Sequence, residues 1–116
     1  MTTRSLLLGL LLLTPALQGR AASFECIGTI TQVQTSATGE VRIQPTWRND
    51  VVTLCNAITP WKGIPIDVCK RWHAHVLTAQ LAQTSSRVYY ATATATSCGT
   101  MGTNNTADAP DQVGNL

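Results

Sequence analysis

The stretch Pro65-Ile66-Asp67-Val68-Cys69-Lys70-Arg71-Trp72-His73-Ala74-His75-Val76-Leu77-Thr78-Ala79-Gln80-Leu81-Ala82-Gln83 decides the fold. After its first residue it contains neither Gly nor Pro, and a proline suits a first helical position because the N–H it lacks would have no intrahelical partner there. Asp67 complements the positive end of the helix dipole. At about 100° per residue, Val68, Cys69, Trp72, Val76 and Ala79 form one apolar stripe, with Ile66 and Leu77 at its margin. Asp67, Arg71, His75 and Thr78 lie opposite. The segment therefore predicts an amphipathic helix with Cys69 in the middle of its buried face.

Upstream of this helix the pattern changes to period two. Phe24 to Val33 is β-branched and apolar with Thr interleaved, and it stops at Thr35-Ser36-Ala37-Thr38-Gly39, which reads as a hairpin turn. Val41 to Trp47 alternates and would set Val41, Ile43 and Trp47 on one face. Pro45 cannot donate to a ladder, so that strand is either an edge or bulged at this residue. Arg48-Asn49-Asp50 reads as a turn, Val51 to Cys55 as a third strand, and Asn56 to Ile64 as a loop with Trp61 folded back onto the domain. Downstream, Arg87 to Thr96 reads as a fourth strand running almost to Cys98. Gly99 to Leu116 is rich in Gly, Asn, Thr, Asp and Pro, a composition that favours loop or disorder, with room for a short closing strand near Gln112 to Leu116. The expected fold class is α+β: a small antiparallel β-sheet or OB-like barrel of order β-β-β-α-β, one amphipathic helix and two disulfides.

Four cysteines, Cys26, Cys55, Cys69 and Cys98, allow three pairings. In a meander of the first three strands, Cys26 and Cys55 fall at opposite ends of the sheet, beyond disulfide reach. Cys55 and Cys69 are separated by one loop, which favours their pairing and leaves Cys26 with Cys98. That second bond requires the fourth strand to lie antiparallel beside the first, as in an OB-type barrel. A flat sheet would instead suit Cys26 with Cys69 and Cys55 with Cys98.

The cysteines also indicate a compartment. An even count in a short chain reads as a disulfide framework of an exported protein. Arg4, the apolar run Leu6 to Leu13 and the small-residue exit at Gly19-Arg20-Ala21 have the three parts of a signal peptide, cleaved after Ala21. The run is far shorter than the roughly 20 residues a membrane span needs. The expected division is a signal peptide at 1–21, a disulfide-stabilised domain at 22–98 and a polar tail at 99–116, released into the periplasm or medium without stable membrane insertion. The leader also removes Arg4 and Arg20. Arg42, Arg48, Lys62, Lys70, Arg71 and Arg87 then cancel Glu25, Glu40, Asp50, Asp67, Asp108 and Asp111, so the formal charge of +2 is a property of the leader and gives no case for nucleic acid.

Catalytic signals are sparse. His73 and His75 stand two apart on the helix, about 200° around the axis, so they cannot share a metal, and a small hydrolase built on either ranks below a binding role. There is no C-x-x-C, G-x-S-x-G, H-E-x-x-H or phosphate-cradling glycine loop, and no cofactor is expected. Glu40, Asp50 and Asp67 each sit by a turn or helix start. Trp47 beside Arg48, and Trp61 beside Lys62, are the candidate binding residues, since a turn and a loop present flat aromatic faces next to cations. Trp72 belongs to the helix stripe, and one of Tyr89 and Tyr90 must face inward. Asn104-Asn105-Thr106 matches a glycosylation sequon. The expected activity is non-catalytic binding of a protein or a glycan, the alternative being a structural or inhibitory envelope protein acting through a protein partner.

Trp61-Lys62-Gly63-Ile64, Cys69-Lys70-Arg71-Trp72, Val88-Tyr89-Tyr90 and Cys98 together resemble a group of small exported bacterial proteins with no assigned activity, over most of the chain after the leader. In element order the chain is also similar to the OB-type binding subunits of bacterial AB5 toxins. That resemblance implies a barrel with the helix across its bottom, and oligomers.

Overall fold

The structure, a computed structural model, describes residues 21–116; the leader expected at 1–21 lies, but for Ala21, outside the described residues. The chain runs β1 (Ala22–Gly28), β2 (Ile30–Thr35), β3 (Glu40–Pro45), β4 (Val52–Asn56), α1 (Ile66–Ala82), β5 (Ser86–Ala93), a 3₁₀ turn at Cys98–Thr100 and β6 (Gln112–Asn115). These strands form two antiparallel three-stranded sheets, β1-β5-β6 and β2-β3-β4. The fold is α+β with one α-helix and both expected disulfides, Cys26–Cys98 and Cys55–Cys69.

The single first strand expected from Phe24 to Val33 is split at Thr29, and its halves belong to different sheets. Thr29 lies between them, and its carbonyl accepts a hydrogen bond from Thr46 N at 3.0 Å. Continuity of composition hid this bend, because both halves are β-formers and only the partners differ. Pro45 lies at the last residue of β3, the central strand of its sheet, so it is not on an edge strand; the bulge is on the facing β2, between Ile30 and Gln32. Trp47 lies beyond that strand, in the turn, rather than in line with Val41 and Ile43. The turn closes with Asn49 in the left-handed region, as its type favours.

The core gathers Ile30, Val41, Ile43, Val52, Leu54, Val76, Val88, Tyr90 and Met101 between the sheets and under α1. The helix begins one residue later than the sequence suggests, with Pro65 as N-cap, and ends at Gln83 in the left-handed region. Cys69, Val76 and Ala79 are its buried residues, and Cys55–Cys69 clamps it to β4. One flank lies along β2: His73 Nε2 is 3.3 Å from Thr35 Oγ1, and Gln80 Nε2 donates to Thr31 O at 3.4 Å. The other flank contacts β6. His75, expected on the solvated face, is half-buried, because the covered arc of the helix is wider than its apolar stripe.

β5 ends at Ala93, five residues short of Cys98, rather than reaching it. Cys26 pairs with Val88 in the body of β1, so the disulfide forms only because the chain turns back after Ala93 and lays the 3₁₀ turn against β1. The segment after Gly99 is ordered by polar staples. Asp108 accepts from Thr94 N and Ala95 N, both at 3.0 Å, and Asp111 accepts from Ala91 N at 2.6 Å. β6 then pairs with β5, the short closing strand anticipated near Gln112.

Candidate functional site

Of the four residues expected to bind, Arg48 and Lys62 hold the two ends of one segment, 101–107, while Trp47 and Trp61 pack elsewhere. Arg48 Nε donates to Met101 O at 2.6 Å. Lys62 Nζ donates to Asn105 O at 3.2 Å and to Ala107 O at 2.6 Å, and lies 4.7 Å from the centre of the Trp61 ring. Trp47 is half-buried and meets Tyr90 edge-on, with centroids 6.5 Å apart. Trp61 is likewise half-buried against the core. Much of this chemistry therefore supports the fold, and the two tryptophans do not form a joint stacking platform.

Beside Lys62 lies a polar cluster that the sequence reading did not assemble. On β3, Val41 and Ile43 point into the core, which turns Glu40 and Arg42 outward. Arg42 Nε donates to Thr53 Oγ1 at 3.4 Å, Thr53 Oγ1 donates to Asn105 Oδ1 at 2.8 Å, and Asn105 Nδ2 donates to Glu40 Oε1 at 3.5 Å. Glu40 also accepts from the hydroxyls of Ser36 and Thr38. Those two hydroxyls, with the backbone N–H of Glu40, hold its carboxyl down at about 2. Alternation along β3 gave half of this cluster; Asn105 arrives from far along the chain, and no local pattern signals it.

Around this cluster the charges are balanced by specific partners. Burial works against ionisation of Asp108, but hydrogen bonds from Thr94 and Ala95 and the charge of Lys62 outweigh it and lower the carboxyl from its ordinary value. Burial, reinforced by the Asp108 charge, raises the Tyr90 phenol well above its ordinary range. The Tyr90 hydroxyl has no hydrogen-bond partner among the described residues.

The histidines stay apart. His73 meets Thr35, while His75 Nε2 is buried without a partner among the described residues. No group of three or more His, Cys, Asp and Glu suited to a metal occurs among the described residues. A separate open depression of about 530 Å³ lies at the C-terminal end of α1, lined by Thr78, Ala82, Thr84, Ser85, Asn115 and Leu116.

No protein family, curated protein or solved structure matches the chain. The geometry of its own residues is thus the basis for any assignment. No helix among the described residues is long and apolar enough to cross a membrane, and the two disulfides suggest a non-reducing, exported environment.

Proposed function

We propose that the protein is an exported, non-catalytic binding module, secreted or periplasmic, that takes a glycan where Glu40 and Arg42 of β3 meet Asn105 and Lys62. One observation carries this: the Asn105 amide bonds the Glu40 carboxylate and, through the fully buried Thr53 hydroxyl, reaches the Arg42 guanidinium, while the Asn105 backbone carbonyl accepts from the Lys62 ammonium. Planar donors and acceptors suit sugar hydroxyls. A glycan array probed with the native protein and with Arg42→Ala tests it. Retention of a glycan by the native chain and its loss from the variant is the expected outcome; no bound glycan, or equal binding by both, refutes it.

A second reading rests on a different observation. Leu81 is 83% exposed and Leu77 37% exposed on the outer side of α1, with exposed Ala74 one turn before. An apolar strip of this kind suits a protein partner, in an envelope role that is structural or inhibitory, or a second copy of the chain in a toxin-like ring. A pull-down from periplasm or medium that depends on Leu81 supports the partner, and mass in solution separates it from self-association.

A further inference from the structure

We propose that Cys26–Cys98 is a redox latch, opened by a dithiol reductant while Cys55–Cys69 stays closed, and that its opening uncovers the Trp47 turn. The two bonds differ in access. Cys55 and Cys69 are both fully buried, and Cys26 is 1% exposed, whereas Cys98 is only partly covered at the surface, in the 3₁₀ turn. Thiol–disulfide exchange needs an attacking thiolate to reach one sulfur of the pair, so Cys98 is the entry point.

The exchange balances without any other reactant. One thiolate of the dithiol attacks Cys98 Sγ, and Cys26 leaves as a thiolate that takes up a proton. The second thiolate then attacks the reductant's own sulfur in the mixed disulfide and releases Cys98, which is protonated in turn. Two electrons and two protons reach the protein, and the dithiol becomes a cyclic disulfide.

Anchors on either side confine the movement that reduction allows. Upstream, Asp108 holds Thr94 and Ala95; downstream, Met101 is fully buried and its carbonyl accepts from Arg48. Residues 96–100 lie between these two anchors, and the disulfide joins them to β1. Within the segment, a methyl group built on Gly99 would stand 3.9 Å from Trp47 O, so the 3₁₀ turn rests against the β3–β4 turn. Releasing Cys98 therefore frees a short flap against the Trp47 backbone while the remaining anchors keep their partners.

A time course at one fixed dithiothreitol concentration, without denaturant, followed by alkylation and peptide mapping, tests the order of opening. Cys26 and Cys98 should become labelled about tenfold faster than Cys55 and Cys69. Tryptophan emission should change over the same time, and the change should vanish in Trp47→Phe. First labelling of Cys55 and Cys69, or simultaneous labelling of all four, overturns the latch; selective opening with unaltered Trp47 emission overturns the uncovering of the turn.

Discussion

Glu40 has a pH signature that can be worked out from its neighbours. Its carboxyl is lowered from 4.5 to about 2 in the folded chain, so the folded state favours the ionised form. A depressed carboxylate contributes stability that is fully present above its unfolded value and is lost as pH falls through the folded one. Urea unfolding of the native protein should therefore weaken between about pH 5 and pH 2. Glu40→Gln should be less stable than the native chain at pH 6 and lose less on acidification; Asp108, lowered in the same direction, leaves some slope in the variant. Equal slopes for the two proteins would remove the role assigned to Ser36 and Thr38.

Lys62 is a candidate for binding, and its contacts predict a stability role as well. Lys62→Met removes both bonds to segment 101–107 and the charge over Trp61. Part of this is exposed to water, so the expected loss is about 1 kcal/mol by thermal unfolding. Trp47, Arg48, Trp61 and Lys62 were legible as notable residues because aromatic and cationic types stand out. Their partners were not legible, since Met101, Asn105 and Ala107 lie some forty to sixty positions away.

Among the elements, the β2–β3 hairpin depends on one glycine. Gly39 has φ +95°, and a methyl group there would stand 2.5 Å from Asn56 Oδ1 and 2.7 Å from Ile58 Cγ1. Gly39→Ala combines backbone strain with that clash, and should cost about 2 kcal/mol or more, read as a fall in the urea midpoint. The hairpin was readable because Gly after small polar residues marks a turn whatever surrounds it. The helix was readable from its apolar spacing, including the burial of Cys69, Val76 and Ala79. Its width of burial was not: His75 is half-buried outside the apolar stripe, and α1 also contacts β6, a partner supplied by the last residues of the chain.

Across the whole molecule, the disulfides set the scale of stability. The chain-entropy model gives about 3 kcal/mol for the loop of separation 14 and roughly 4.4 kcal/mol for the loop of separation 72. Replacing Cys26 and Cys98 together by alanine should lower unfolding free energy by about 4 kcal/mol and leave circular dichroism native at 25 °C, since small domains hold roughly 5–15 kcal/mol. A variant unfolded at that temperature would show that the hydrogen-bonded anchors at Asp108 and Arg48 do not hold the returning chain.

Local properties were determined by the sequence alone: the amphipathic helix, the hairpin turn, the strand-forming runs and the preference for Cys55 with Cys69 all come from spacing and residue type within a few positions. The tertiary structure decided what depends on distant partners. It bent the first strand at Thr29 between two sheets, returned the chain after Ala93 so that Cys98 reaches the body of β1, and brought Asn105 beside Glu40 and Thr53. Backbone preference is written residue by residue, whereas the pairing of strands and the meeting of side chains across the fold is a choice among many competing contacts, settled only when the whole core packs at once.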